Sequence, residues 1–352
     1  MEKAPEQQKV IEQSSELTSL FELINKENIA EEGTFELRNE KGVISENGDL
    51  SFWISIRNKE DILEGKFFVS GQSRDRLIIF EPDMPGDSSE WMENKFIPDL
   101  LRDGYSIFCV RHRGTKLDSS NASHYINCQE RIERSKEGSS VLGQSGEKKE
   151  YSVEDIANEP KIATEALHSK FKQLYMIGHS NGAAGIAYSL PKLSKEITDK
   201  VRNFISLAGF IGAYDKEKDH FDAEGRFDSQ KMKGFYEYSN QYVSLGDLEK
   251  NVELQKNIFT SIHNSSLPEN INIVLVSSPK DEYIPLESAK QYQEKNARGL
   301  RIVDNTQYKE DESKPKPDIH DLPNLYPSTL LRLLKIYHPK RKHSPTFEKR
   351  EP

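Results

Sequence analysis

The sequence predicts an α/β protein: a mostly parallel β-sheet with an antiparallel hairpin at its N-terminal end and helices on both faces. The first observation is a series of short apolar runs without polar alternation, which is typical of strands buried on both faces. The second is that helical patterns separate these runs, as in βαβ units. The third is a period-two pattern that precedes them. The apolar runs are 77–80, 107–110, 174–177, 204–207, 271–276 and 302–303.

The chain opens with a helical pattern and then changes to a strand pattern. Residues 1–33 are polar, but an apolar stripe at helical spacing predicts one amphipathic helix, formed by Leu17, Leu20, Phe21 and Ile24. From about residue 35 apolar side chains alternate, at Phe52, Ile54 and Ile56. A second apolar segment at 67–69 follows a charged turn, so we predict a β-hairpin here.

Between the apolar runs, helical periodicity marks the connections that cover the sheet. The predicted helices are 91–101, 154–171, the segment after Ser180, 286–295 and 325–336. Ligand sites in such sheets lie outside the carboxyl ends of the strands. We therefore search for functional residues in the segments that follow each strand.

Two connections are too long to be simple loops. Residues 115–150 are polar and predict either a surface excursion or a partly disordered loop. Residues 211–268 are rich in aromatic residues, and Phe235, Tyr238 and Tyr242 fall on one predicted helical face. This segment predicts either a helical cap over the active site, with these three side chains binding substrate, or a packing subdomain. The domain prediction is a lead-in at 1–48, a main domain at 49–338 with the cap insertion at about 211–268, and a basic tail at 339–352.

Composition narrows the functional classes. The 352 residues carry a formal net charge of −9, and basic residues are spread along the chain, which argues against a nucleic-acid partner. The sequence lacks a long apolar segment and a secretory pattern at its start, so no membrane span and a cytoplasmic location are expected. Cys109 and Cys128 are too few for a disulfide framework. We expect no metal and no cofactor, because neither ligand spacing nor a phosphate-binding glycine loop is visible.

The most informative motif is Gly178-His179-Ser180-Asn181-Gly182, which lies between a predicted strand and a small-residue helix. A nucleophilic serine must project from a tight turn, and glycines two residues to either side make room for that turn. The helix that follows directs backbone N–H groups toward a developing oxyanion. The alternative is a glycine-rich turn with an exposed serine, but the strand and helix around it favour a catalytic Ser180.

Two backbone amides are candidates for the oxyanion hole. The first is the N–H of Asn181, which directly follows the serine. The second is expected from the loop after the 77–80 strand, where Met84 is best placed. The predicted hole therefore consists of the Asn181 and Met84 amides.

A catalytic serine needs a histidine base and a carboxylate that orients the histidine. Asp281, in the loop after the 271–276 strand, is the preferred acid, although it could instead cap a helix. The alternatives for the acid are Glu282, Asp304 and Asp215. His320, before the final helix, is the preferred base. His338 and His343 lie near the tail, whereas His112 and His179 are tied to backbone positions that direct them elsewhere.

Together these features resemble the α/β-hydrolase superfamily. The resemblance covers about residues 50–338 and rests on the serine motif, on Asp281-x-x-Ile284-Pro285, on His320 and on Arg113-Gly114. A weaker likeness, carried by the hairpin and by the string 111–114, is to serine peptidases of the prolyl-oligopeptidase type. The chain departs from the family at Pro82-Asp83, where His-Gly is usual. A carboxylate there would oppose the charge that develops in an oxyanion hole.

The resemblance implies a Ser180, Asp281 and His320 triad that cleaves a carboxylic ester or a thioester through an acyl-enzyme. The substrate would be a small-molecule ester or a short peptide. Two alternatives stay open: a peptidase or amidase of the prolyl-oligopeptidase type, and a non-catalytic binding protein that keeps the fold. The sequence does not indicate an oligomeric state.

Overall fold

The computed structural model describes residues 29–117, 133–143, 150–211, 228–302 and 332–334, apart from positions 33–34, 41, 60, 74, 85, 87–95, 134–135, 140, 282, 285 and 297–299. The strands are β1 (Ile29–Glu32), β2 (Phe35–Asn39), β3 (Val43–Ile44), β4 (Leu50–Asn58), β5 (Asp61–Val69), β6 (Arg76–Glu81), β7 (Ser106–Arg111), β8 (Gln173–His179), β9 (Val201–Leu207), β10 (Asn272–Ser277) and β11 (Leu300–Ile302). The helices are α1 (Ile97–Arg102), α2 (Val153–Ala157), α3 (Glu159–Leu167), α4 (Asn181–Ser189), α5 (Lys195–Thr198), α6 (Ser229–Ser239), α7 (Leu248–Asn264) and α8 (Leu286–Asn296).

All these strands form one mixed sheet, in the order β1-β2-β4-β5-β7-β6-β8-β9-β10-β11, with β3 paired to β4. The pairs from β1 to β7 are antiparallel. The pairs from β7 to β11 are parallel. The predicted fold class, a mostly parallel sheet preceded by an antiparallel hairpin, is therefore confirmed.

The central strands are buried on both faces, as their apolar runs predict. In β6, Leu77 and Ile79 belong to the core on one face, whereas Ile78 and Phe80 belong to the core on the other. The first face is covered by α2, α3, α4 and α7, and the second by α1 and the segment 332–334. This two-sided burial fixes the parallel strands in register, so that their carboxyl ends meet at one edge.

The structure differs from the predicted helices in two places. Residues 29–32 form the edge strand β1 and not the end of a helix, because their backbone pairs with β2. The apolar stripe at 17–24 lies outside the described residues. The predicted helix 154–171 is divided into α2, α3 and a 3-10 turn at 168–170. Pro160 causes the break, since it lacks the N–H that a continuous helix would use.

The aromatic insertion contains α6 and α7. Helix α7 places Val252, Ile258, Phe259 and Ile262 in the same hydrophobic core as residues of β8 and α4. Phe259 packs edge-on against Phe210, with ring centroids 5.0 Å apart. The long excursion at 115–150 also contributes packing, because Val141 and Leu142 bury Trp53 of the hairpin. Among the described helices, none has the length and apolarity needed to cross a bilayer.

Candidate active site

Ser180 occupies a strained turn between β8 and α4. Its backbone angles are φ 49° and ψ −118°, a region that non-glycine residues rarely adopt. The Ser180 N–H donates to the carbonyl of Leu207 at 3.0 Å, and the Ser180 carbonyl accepts from the N–H of Phe210 at 2.9 Å. These bonds to the end of β9 hold the turn in place. The side chain is half-buried at the carboxyl edge of the sheet.

The two glycines of the motif are required by close contacts. A Cβ atom on Gly178 would come within 2.5 Å of the backbone of Ala183. A Cβ atom on Gly182 would come within 2.3 Å of the Glu81 carbonyl oxygen and 2.4 Å of the Pro82 carbonyl oxygen. Since real Cβ atoms do not approach this closely, only glycine allows α4 to start directly under the turn.

The loop after β6 lies beside the serine turn. Strands β6 and β8 are parallel neighbours, and Glu81 is in register with Gly178. The side-chain amide of Asn181 donates to the Met84 sulfur at 3.7 Å. The two residues whose backbone amides were predicted to form the oxyanion hole are thus brought together. We refer to residues 82–84 and 86 as the oxyanion loop, after the role that the sequence predicts for it.

Asp83, the carboxylate that departs from the family pattern, lies in this loop. Its Oδ1 atom is 4.0 Å from Nδ1 of His179. The Asp83 side chain is 32% exposed, whereas His179 is buried. The carboxylate is therefore close to the imidazole of the residue that precedes Ser180, and it retains contact with solvent.

Asp281 follows β10, as predicted. Its Oδ1 atom accepts hydrogen bonds from the backbone N–H groups of Tyr283 and Ile284, both at 2.9 Å. These bonds close the turn that precedes α8, and the two fixed donors restrict the orientation of the carboxylate.

Several candidates lie outside the described residues. They are the preferred base His320, the alternative acids Glu282, Asp304 and Asp215, and the tail histidines His338 and His343. Their positions relative to Ser180 stay predictions.

The three aromatic side chains of the predicted substrate site do not share one helix. Phe235 and Tyr238 lie on α6 and are exposed, but Tyr242 lies beyond the helix and is buried. The helix ends at Ser239 because Asn240 turns the chain: its side-chain oxygen accepts from the Leu245 N–H at 2.9 Å. The rings of Tyr238 and Tyr242 still meet edge-on, with centroids 5.5 Å apart.

Behind the oxyanion loop lies a buried polar cluster that the sequence analysis did not identify as a site. Oε1 of Glu159, the first residue of α3, accepts from the backbone N–H and the Nε of Arg113, at 2.8 and 3.3 Å. The other carboxylate oxygen lies 2.6 Å from Nδ1 of His112. Nε2 of His112 lies 3.0 Å from the Pro82 carbonyl oxygen. His112, Arg113 and Glu159 are all at most 1% exposed.

This environment shifts the pKa values of two groups. Burial alone would lower the pKa of His112, but the charge and hydrogen bond of Glu159 and the Pro82 carbonyl outweigh it, so the pKa is raised. Burial raises the pKa of Glu81, Glu159 raises it further, and Arg113 opposes the shift only in part. Oε1 of Glu81 is buried and has no hydrogen-bond partner among the described residues. The surroundings of Glu81 therefore favour its neutral form.

Glu81, His112 and Glu159 are also residue types that bind metals, and one ligand atom from each falls within a 4.8 Å cluster. The contacts fit a protonated network better than a metal. A separation of 2.6 Å between Nδ1 and the carboxylate is that of a charge-assisted hydrogen bond. Arg113 already places a guanidinium charge against the same carboxylate.

A sequence signal for this cluster does exist. Three consecutive basic residues lie at the end of β7: Arg111 is its last residue, and His112 and Arg113 follow it. Buried charges require partners. The acidic partners come from distant segments, since Glu159 is 47 residues from His112. Spacing along the chain could not select them.

Comparisons with known proteins agree with this architecture. A family model described as the alpha/beta hydrolase fold matches residues 76–246. The structure is similar to Est1E from Butyrivibrio proteoclasticus, at 10% identity and a TM-score of 0.50, covering 81% of this chain and 98% of that chain. It is also similar to alpha/beta hydrolase domain-containing protein 10 from mouse, at 14% identity and a TM-score of 0.50, again covering 81% and 98%. No curated protein matches the sequence.

Proposed function

The chain belongs to the α/β-hydrolase superfamily, and on that premise we propose that it is a serine hydrolase that cleaves carboxylic esters through an acyl-enzyme. The observation that carries the proposal is the backbone of Ser180, at φ 49° and ψ −118°. A serine held in so costly a conformation by hydrogen bonds to the next strand is typical of a nucleophile elbow. The proposal covers small-molecule esters and, by the same chemistry, thioesters.

In the proposed reaction, Oγ of Ser180 attacks the ester carbonyl carbon and its proton passes to His320. Collapse of the tetrahedral intermediate expels the alcohol, which takes that proton, and leaves an acyl group on Ser180. Water then attacks the acyl group with His320 again as base, releasing the acid. Asp281 orients His320 and stabilises its positive charge. Support for Asp281 comes from its place after β10 and from the donors that restrict its carboxylate.

The proposed oxyanion hole consists of the backbone amides of Asn181 and Met84. Asn181 begins α4, so its N–H belongs to the positive end of a nine-residue helix. Its side-chain contact with Met84 supports placing the second donor in the oxyanion loop. Asp83 is proposed to stay outside the hole, because its carboxylate lies toward His179.

Specificity is proposed to come from the aromatic insertion. Phe235 and Tyr238 expose about two fifths of their surface, and such large exposed rings can contact the apolar part of an ester. Replacing both by alanine should raise KM for esters of long acyl chains and leave short acetyl esters nearly unchanged. An equal effect on all chain lengths would remove these residues from the substrate site.

The proposal is tested by hydrolysis of p-nitrophenyl esters of increasing chain length, compared with aminoacyl anilides. We expect short acyl esters to react fastest. Ser180→Ala, Asp281→Ala and His320→Ala should each lower kcat by about 10⁴-fold or more with little change in KM. Faster cleavage of anilides would favour a peptidase. A folded protein without turnover of either substrate class would favour a non-catalytic binding protein.

A further inference from the structure

The oxyanion loop is attached at both ends to a single residue, His112. The imidazole Nε2 lies 3.0 Å from the carbonyl oxygen of Pro82 at the start of the loop. The backbone N–H of the same residue donates to the carbonyl oxygen of Gly86 at the end of the loop, at 3.1 Å. Met84, the proposed second donor of the oxyanion hole, lies between these two attachments.

The protonation of the His112 ring follows from its partners. A backbone carbonyl oxygen can only accept, so Nε2 must carry a hydrogen. On the other side, the Glu159 carboxylate already accepts two N–H bonds from Arg113 and lies against its guanidinium. The other oxygen of this carboxylate lies 2.6 Å from Nδ1 of His112, which is the length of a charge-assisted hydrogen bond with the ring as donor. Both ring nitrogens of His112 therefore donate, and the ring is a buried imidazolium.

We propose that His112 is a positioning residue of the hydrolase, and that its imidazolium holds the oxyanion loop by donating to Glu159 and to the Pro82 carbonyl at the same time. The inference rests on the proposed function for its kinetic consequence, but its structural content is independent of that function. Glu159 in turn is fixed by Arg113, so the loop is anchored to the start of α3.

The proposal makes the oxyanion loop sensitive to pH. The charged or titratable groups that face His112 are Glu81 from β6, Asp83 from the loop, Arg113 after β7 and Glu159 from α3. Glu159, the Pro82 carbonyl and Asp83 raise the pKa of His112 above its ordinary value. At high pH the ring loses one proton. It keeps the stronger bond to the carboxylate, so the lone pair of Nε2 then faces the lone pairs of the Pro82 oxygen and the attachment is lost.

Two amide variants separate the two bonds. In His112→Gln, the side-chain amide nitrogen can occupy the position of Nε2 and donate to Pro82 at every pH. In His112→Asn, the shorter amide can reach only Glu159. We expect His112→Asn to lower kcat for p-nitrophenyl acetate by about 10²–10³-fold with little change in KM, as for loss of an oxyanion donor. His112→Gln should stay within about tenfold of the parent and lack the parent's fall in kcat at alkaline pH.

Thermal melting of both variants identifies any general loss of folding. A folded His112→Asn variant that is as active as the parent would overturn the proposal. An alkaline fall in kcat that His112→Gln retains would also overturn it.

A second readout does not need activity. Amide hydrogen exchange in the peptide spanning 81–86 should be at least tenfold faster in His112→Asn than in His112→Gln. Equal exchange in the two variants would overturn the proposal even if no ester is hydrolysed, whereas inactivity of the parent alone would contradict only the proposed function.

Discussion

Gly182 lies so close to Glu81 that a Cβ atom on the glycine would come within 2.3 Å of the Glu81 carbonyl oxygen. This contact joins the first turn of α4 to the strand end that leads into the oxyanion loop. The serine and the proposed hole are therefore positioned by one shared backbone contact. A change at Gly182 must move one relative to the other.

We expect Gly182→Ala to lower kcat by about 10²-fold or more, because displacing a catalytic group by about 1 Å costs that much. Steady-state kinetics with a short p-nitrophenyl ester measures the loss. Gly234→Ala is the matched control, since its added methyl group meets no atom within 4 Å on α6. The control should keep full activity and gain about 0.5–1 kcal/mol in the free energy of unfolding. Full activity of Gly182→Ala would show that the loop and the serine turn are not coupled.

The strained backbone of Ser180 predicts a difference in stability between two inactive variants. Glycine adopts positive φ without steric cost, whereas alanine retains the strain. Ser180→Gly should therefore be more stable than Ser180→Ala by about 1 kcal/mol or more. Denaturant unfolding of the two variants side by side gives the difference. Equal stability would mean that the turn is not strained in solution.

Glu159 is predicted to be the most sensitive acidic position on α3. Glu159→Gln would remove the buried carboxylate that pairs with Arg113 and leave the half-exposed Asp61, at 3.2 Å, as the remaining ion-pair partner of that guanidinium. We expect a loss of about 3 kcal/mol in the free energy of unfolding. Glu165→Gln, on the same helix, removes a partly exposed pair with Lys161 and should cost at most about 1 kcal/mol. Chemical denaturation checks both values. Similar small losses in the two variants would argue against a buried charged cluster.

The raised pKa of Glu81 predicts how stability depends on pH. The folded protein keeps this carboxyl protonated above the pH at which the unfolded chain releases the proton. Burial of Glu81 thus costs nothing below the unfolded pKa, near 4.5, and progressively more as the pH rises above it. The Glu81→Gln side chain is neutral at every pH, so this variant should raise Tm at pH 8 by about 2–4 °C for each kcal/mol regained in the free energy of unfolding. The same variant should have little effect on Tm at pH 4. The same gain at both pH values would mean that ionisation of Glu81 is not involved.

The sequence predicted the features that depend on local pattern. The apolar runs identified β6 to β10, since strands covered on both faces leave little room for polar side chains. The motif around Ser180 identified the strained turn, because only glycine at 178 and 182 allows its contacts. Asp281 does follow β10 and closes the turn there, whereas its role as the acid of a triad stays a prediction.

What the sequence could not predict depends on contacts between distant segments. Helical spacing placed Tyr242 with Phe235 and Tyr238, but a hydrogen bond from Leu245 to Asn240 ends the helix first. Residues 29–32 continued a helical pattern, yet pairing with β2 makes them a strand. The bonds of His112 join three segments of the chain, so their geometry emerges only when the sheet is assembled.

The central claim is that Ser180 is an activated nucleophile, and covalent labelling tests it most directly. The folded protein is treated with a fluorophosphonate, and the site of the adduct is found by peptide mass spectrometry. We expect one phosphonyl group on the peptide that contains Ser180 and no adduct on Ser180→Ala. A folded, unlabelled parent protein, or an adduct retained by Ser180→Ala, would contradict it.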